Sequence, residues 1–89
     1  DFLLLENVTA RFRHPCILDL KMGKRQYAEI DSDKKRQSKI EKCQLSTSST
    51  LGVRLCGMQV YQVEHGRYIF TDKYRGRVLS VDGFRSALV

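Results

Sequence analysis

The residues best placed to do chemistry lie in residues 15–23, which read Pro-Cys-Ile-Leu-Asp-Leu-Lys-Met-Gly. The segment fits the pattern Pro-x-x-x-Asp-x-Lys-x-Gly, with Asp19 and Lys21 separated by one residue. Alternation along a β-strand places two such side chains on one face, about 6 to 7 Å apart. A carboxylate and an ammonium at that separation can serve two groups of one bound ligand, and Gly23 leaves room for a bulky anion. On spacing alone, an exposed ion pair of little energetic value explains the pattern equally well.

Positive charge is concentrated in one part of the chain. The net charge of the 89 residues is +6, and residues 11–42 contain ten basic side chains against five acidic ones. A concentrated positive field attracts polyanions, which include nucleic acid, acidic lipid headgroups and small multiply phosphorylated ligands. Charge alone does not choose among these three classes of partner.

Part of this charge lies on a helix predicted from residue 32 to about residue 45. Ser32 is a suitable N-cap, and the segment that follows contains neither Gly nor Pro. At about 100° per residue, Lys35, Lys39 and Lys42 fall within about 60° of one another. Three ammonium groups are therefore expected along one edge of the helix, although a merely solvated charged helix is the alternative.

The other predicted elements must position the motif and this helix. In chain order, they are a buried strand at residues 2–5, the half-buried motif strand at 16–22, a polar linker at 46–50, a strand at 51–63 with a possible bulge at Gly57, a turn at 64–66, a returning strand at 67–71 and a helix that begins near Ser80. Together they predict a single α+β domain, with an antiparallel sheet and one or two helices.

The cysteines and the ends of the chain bear on the compartment. Cys16, Cys43 and Cys56 are odd in number and form no Cys-x-x-Cys pair, which favours a reducing, intracellular compartment. No apolar run approaches the roughly 18 residues needed to span a bilayer. A signal peptide is not expected at the first residues, because no basic region precedes their apolar run.

With its flanking sequence, the motif resembles the inositol polyphosphate kinases, and most of all their hexakisphosphate kinase branch. Residues 2–8 are similar to the hinge between the two lobes of these enzymes, and residues 42–48 and 51–61 resemble the hexakisphosphate branch. Residues 73–77 and 79–84 continue the match. The resemblance implies that residues 1–89 are an internal fragment of a two-lobed, protein-kinase-like domain.

The same resemblance implies roles for individual residues. Lys21 would lie between the transferred phosphoryl group and the inositol ligand and would be catalytic. Asp19 would share the catalytic region on the nucleotide side, near the ribose hydroxyls, and the backbone at Glu6 and Val8 would pair with the adenine edge. The implied substrate-binding residues are Lys24, Arg25, Lys35, Lys39 and Lys42.

The function implied by the resemblance is ATP-dependent phosphorylation of inositol hexakisphosphate, or pentakisphosphate, to a diphosphoinositol polyphosphate. ATP and Mg²⁺ would be the cofactors, with the metal ligand outside residues 1–89, and the fragment alone would be inactive. The alternatives are multikinase or trisphosphate kinase activity, a basic RNA-binding module that uses Tyr61, Tyr68 and Phe70, and a purely structural fragment. We expect no nucleic-acid or membrane partner and a cytoplasmic and nuclear location.

Overall fold

A computed structural model describes all 89 residues as a three-stranded antiparallel sheet with four helices. The elements are β1 (Ile17–Met22), α1 (Asp33–Gln44), α2 (Ser48–Leu51), β2 (Val53–Gln62), β3 (Arg67–Thr71), α3 (Lys73–Arg77) and α4 (Val81–Leu88). Strand β2 lies in the centre of the sheet, between β1 and β3. The predicted α+β class and antiparallel sheet are confirmed, but the helices outnumber the one or two predicted. None of them has the length and apolar character needed to cross a membrane.

Two helices begin where their capping residues predict. The Ser32 hydroxyl accepts a hydrogen bond from the Lys35 N–H at 3.3 Å, and α1 begins at the next residue. The Ser80 hydroxyl accepts a hydrogen bond from the Gly83 N–H at 3.0 Å, and α4 begins at the residue after Ser80. Both hydroxyls satisfy a backbone donor that the first turn of a helix leaves free.

The β2–β3 hairpin and a bulge in the pairing of β2 with β1 both follow the prediction closely. Strands β2 and β3 pair from Met58 opposite Thr71 to Gln62 opposite Arg67. On the other side of β2, Asp19 pairs with Gly57 and Leu20 with Leu55, which leaves Cys56 as an extra residue. The bulge therefore lies at Cys56, one residue before the predicted position.

The predicted strand at residues 2–5 is wrong. These four apolar side chains are between 79% and 102% exposed, and the segment has no regular secondary structure. A strand needs a neighbour to pair with its N–H and C=O groups, and this chain presents none beside the segment. Two shorter corrections follow: the polar linker contains α2, and β2 begins at Val53 rather than at residue 51.

The apolar core is small and centred on β2. Leu55 is completely buried, and Cys43 and Phe84 are the only other buried apolar side chains. The face of β1 that was predicted to be buried is largely open, since Leu18 and Met22 are 47% and 70% exposed. This chain by itself therefore covers only part of the sheet.

A glycine brings α3 onto the sheet. Gly76 is buried, and a Cβ at this position would overlap the carbonyl oxygen of Leu55. Only a residue without a side chain permits this approach of backbone to backbone. The side chains of α3 are thereby carried to the edge of a cavity beside β2.

Candidate functional site

Five basic side chains surround a cavity of about 400 Å³ beside the middle of β2. Its lining consists of Lys21, Lys42, Arg54, Leu55, Cys56, Lys73, Tyr74 and Arg77, and we call it the basic pocket. No acidic side chain contributes to this lining. Such a set of donors, with no carboxylate to neutralise it, can bind several negatively charged groups at once.

Four elements deliver these cations. In the register of the sheet, Lys21 of β1 lies directly opposite Arg54 of β2. Helix α1 contributes Lys42 from its last turn. From α3, the charged groups of Lys73 and Arg77 lie 5.2 Å and 4.9 Å from the ring centroid of Tyr74. Cation–π attraction to this ring helps to hold both groups at the pocket.

Arg54 is the unusual member of the set. The residue is only 6% exposed, and its Nη1 atom is buried without a hydrogen-bond partner. The side chain also takes part in no salt bridge, since the two in this protein join Arg25 to Glu29 and Lys39 to Asp31. Removing a charge from water without giving it a partner lowers the stability of the fold by on the order of several kcal/mol. A bound anion would offset that cost.

A second cavity, of about 550 Å³, runs along α1. Its lining consists of Ser32, Lys34, Lys35, Ser38, Lys39 and Lys42, and we call it the lysine edge. The prediction that Lys35, Lys39 and Lys42 share one edge of the helix is confirmed. Because Lys42 lines both cavities, the lysine edge and the basic pocket are adjacent.

One lysine of this edge is held by a carboxylate. Lys39 Nζ donates to Asp31 Oδ2 at 2.7 Å, and the Ala28 N–H donates to the same oxygen at 2.8 Å. The hydrogen bond from Lys39 is the larger cause, and that from Ala28 the second, of a pKa for the Asp31 carboxyl below its usual 3.8. The Asp31 side chain is therefore an anion at neutral pH.

Asp19 lies elsewhere. It lines a separate cavity of about 340 Å³, whose other lining residues are Ile17, Gly57, Met58, Gln59, Phe70, Thr71 and Asp72; we call it the Asp19 pocket. Asp19 and Lys21 thus belong to one strand but line different cavities. If both serve one ligand assembly, they contact different parts of it.

Four residues predicted from the sequence lie away from these cavities. Arg25 is 3.9 Å from the Glu29 carboxylate and 4.7 Å from the Tyr27 ring centroid, and the Lys24 carbonyl accepts from the Cys43 thiol. Glu6 and Val8 lie in an exposed segment that precedes β1 and line none of the three cavities described above. The roles predicted for these four residues stay predictions.

Arg54, Lys73 and Arg77 were missed by the sequence analysis. The sequence contains a weak indication that Arg54 is functional, because this residue is a single charge between Val53 and Leu55 in an apolar strand. Lys73 and Arg77 carry no such signal. They reach the pocket only because α3 packs on β2.

The aromatic side chains of the hairpin pack against one another. Tyr61 stacks on His14 with 3.8 Å between ring centroids, and Tyr68 lies edge-on to Tyr61 at 5.1 Å. Phe70 follows at 5.7 Å from Tyr68. His14 therefore covers one face of the Tyr61 ring, and that face is not available to stack on a nucleic-acid base.

Comparison with known proteins assigns the family. Residues 2–89 match the family profile described as inositol polyphosphate kinase. The chain belongs to the inositol polyphosphate kinase family. It is 58% identical over 87 residues to the inositol hexakisphosphate kinase 1 of Homo sapiens and 56% identical to the human inositol hexakisphosphate kinase 2. Each alignment covers 98% of this chain but only 20% of the relative, so the chain spans about a fifth of these proteins.

Solved structures of family members share the fold. An inositol phosphate multikinase superimposes with a TM-score of 0.86 at 30% identity, over 97% of this chain and 40% of that one. The inositol phosphate multikinase of S. cerevisiae, in complex with ADP and Mn²⁺, gives a TM-score of 0.82 at 30% identity, over 92% and 38% of the two chains. The sheet and helices described above therefore occur within larger kinases.

Proposed function

We propose that this chain is the internal, substrate-facing part of a longer kinase that transfers a phosphoryl group from ATP to inositol hexakisphosphate or pentakisphosphate. The product would be a diphosphoinositol polyphosphate. The observation that carries the proposal is the basic pocket, with the buried guanidinium of Arg54 in it. Its cations suit a small ring that carries many phosphates, because each phosphate accepts several charge-assisted hydrogen bonds.

Within this proposal, the residues of the chain bind and orient the acceptor. Arg54, Lys73 and Arg77 hold phosphates of the inositol ring, while Lys35 and Lys42 of the lysine edge hold others. Lys21 lies at the β1 side of the pocket and stabilises the charge on the phosphoryl group during transfer. Positioning and charge stabilisation supply most of the rate in phosphoryl transfer, and these side chains provide both.

The nucleotide would lie toward the Asp19 pocket. The Asp19 carboxylate there stands among Ile17, Met58 and Phe70, and it can accept hydrogen bonds from ribose hydroxyls beside an apolar surface. No group of three or more His, Cys, Asp and Glu residues in the chain could hold a metal ion. Mg²⁺, which neutralises nucleotide phosphates when bound, would be held by residues outside this chain.

The test uses the full-length protein that contains this chain, with ATP and inositol hexakisphosphate. We expect Lys21→Ala to lower kcat by about 10² to 10³, the usual cost of removing one charge-stabilising group. Arg67→Ala removes the same charge from an exposed residue of β3 that lines none of the three cavities described above, and its kcat should stay within about twofold of the wild type. Full turnover in Lys21→Ala, with product identity checked by chromatography, would contradict the role of Lys21.

A second candidate function is multikinase activity on less phosphorylated inositols. It is favoured by the two superimposed structures, both of which are inositol phosphate multikinases. The relatives at 56% to 58% identity are hexakisphosphate kinases, and we therefore prefer the first candidate. Turnover of the hexakisphosphate, pentakisphosphate and trisphosphate by the same protein separates the two functions.

Two further expectations belong to the proposal. The 89 residues alone should transfer no phosphate, because the nucleotide phosphates and the metal need residues beyond them, and measurable transfer by the isolated chain would refute this division of labour. We also propose a cytoplasmic and nuclear location for the full-length protein, in keeping with the three free cysteines of this chain. Imaging of the tagged protein in cells tests that location.

A further inference from the structure

The lysine edge contains one lysine whose charge is already compensated. Of its four ammonium groups, only that of Lys39 forms a salt bridge, with Asp31. Lys34, Lys35 and Lys42 have no acidic partner within 4.0 Å. An anionic ligand that enters this cavity therefore finds three free ammonium groups and a fourth that it must share.

In the salt bridge between Lys39 and Asp31, the carboxylate is held in place by the backbone. The Ala28 N–H donates to Asp31 Oδ2, and the Asp31 N–H donates to the Ala28 carbonyl at 3.1 Å, so Asp31 closes a four-residue turn. Its side chain is 11% exposed, whereas that of Lys39 is 39% exposed. Lys39 is thus the more exposed partner, and it donates to a carboxylate that the loop before α1 holds in place.

We propose that Asp31 acts as an internal counter-anion for Lys39 and limits how tightly the lysine edge binds highly phosphorylated inositol ligands. The inference rests on the function proposed above. Phosphates that approach Lys39 must displace it from Asp31 and are also repelled by the carboxylate. Since repulsion grows with the charge of the ligand, the limit is strongest for the hexakisphosphate and weaker for a trisphosphate. Asp31 is therefore a specificity-determining residue that need not touch the ligand.

Asp31→Asn tests this idea with little change of shape. The amide oxygen of Asn can still accept from the Ala28 N–H and keep the turn, but it no longer compensates Lys39. The matched control is Glu29→Gln, which removes one negative charge from the same loop. Glu29 is a suitable control because its side chain is 88% exposed and pairs with Arg25 rather than with α1. Asp31→Ser is a second neutral variant, which also suits a turn, should the first be unstable.

The measurement is the Kd of the full-length protein for inositol hexakisphosphate and for inositol trisphosphate, by calorimetry, with kcat recorded alongside. We expect Asp31→Asn to lower the Kd for the hexakisphosphate about three- to tenfold and that for the trisphosphate by less, with kcat unchanged. Glu29→Gln should change neither Kd by more than about twofold. Raising the salt from about 0.15 M to about 0.5 M should remove most of the difference, because the repulsion is screened.

The opposite result would overturn the proposal. If Asp31 instead presents Lys39 to the ligand, Asp31→Asn raises the Kd for the hexakisphosphate. If Asp31 only supports the loop, the Kd values for both ligands change by the same factor, and that factor does not depend on the salt concentration. An unchanged Kd also contradicts the proposal. A wild-type protein that transfers phosphate to neither the hexakisphosphate nor the pentakisphosphate contradicts the proposed function itself, whereas an active wild type with an unresponsive Asp31→Asn contradicts the counter-anion alone.

Discussion

Burial of the Arg54 charge destabilises the fold unless an anionic group pairs with it. Its guanidinium is buried, contributes to no salt bridge and leaves Nη1 without a hydrogen-bond acceptor. Apolar groups of similar volume at buried charged positions are often neutral or stabilising, by about 1 to 4 kcal/mol. We therefore propose that the residue serves binding rather than stability, in the way that functional sites commonly retain strained or uncompensated groups.

Arg54→Met separates these two contributions in the full-length protein. We expect the Tm to stay unchanged or to rise, because a side chain of similar length replaces an uncompensated buried charge. The KM for inositol hexakisphosphate should rise about tenfold or more, since a charge-assisted hydrogen bond contributes roughly 1.5 to 3 kcal/mol. Calorimetry and steady-state kinetics give the two values. A large fall in Tm with an unchanged KM would show that Arg54 is structural.

At the scale of elements, α3 decides whether the basic pocket exists. The helix has only five residues, yet it contributes Lys73, Tyr74 and Arg77 to the lining. Asp72 caps it by accepting from the Arg75 N–H at 2.9 Å. The contact that sets its distance from β2 is Gly76 against the backbone of Leu55.

Gly76→Ala should push α3 away from β2. The added Cβ meets a backbone carbonyl that cannot move aside, so we expect a loss of about 1 to 3 kcal/mol in the free energy of unfolding, together with a raised KM for the inositol ligand. Gly83→Ala in α4 is the matched control, because its new Cβ would meet only side-chain atoms of Leu79 and Ser80 at 3.3 Å. Denaturant unfolding of both variants measures the difference, and equal stability of the two would contradict this role for Gly76.

The elements that were predictable from sequence are those with local causes. Ser32 and Ser80 cap α1 and α4 through bonds within the first turn, and the hairpin follows from alternation around Gly66, whose φ of 64° suits a turn. The lysine edge followed from helical geometry alone. In contrast, α3 contains a glycine and too few residues to show a period, so its presence depends on packing against Leu55.

Contacts between distant segments account for what was not predictable. The apolar run at residues 2–5 has the composition of a strand, but whether it pairs depends on a neighbour that this chain does not present. The basic pocket needs β1, β2, α1 and α3 in their observed positions, and no spacing in the sequence encodes that arrangement. Likewise, Asp19 and Lys21 lie two residues apart on β1 but line two different cavities, which their spacing in the sequence does not indicate.

The whole molecule is flat rather than compact. It measures 45 × 39 × 17 Å, with a radius of gyration of 15.6 Å, against about 12 Å for a compact domain of this length. Nineteen large apolar side chains are exposed, while three apolar side chains form the core. This balance agrees with the proposal that the chain is part of a longer kinase, in which further polypeptide would cover the sheet; the chain spans a fifth of its hexakisphosphate kinase relatives.

Further polypeptide could also supply the missing partner of Arg54, and the partner of that guanidinium therefore decides whether the basic pocket binds the ligand. The measurement is a crystal structure of the full-length protein with inositol hexakisphosphate bound. We predict a phosphate oxygen about 2.7 to 3.2 Å from Arg54 Nη1, with Lys21 and Lys73 at the same ligand. A ligand bound away from the basic pocket, with Arg54 paired to a carboxylate from another part of the protein, would contradict the proposed site.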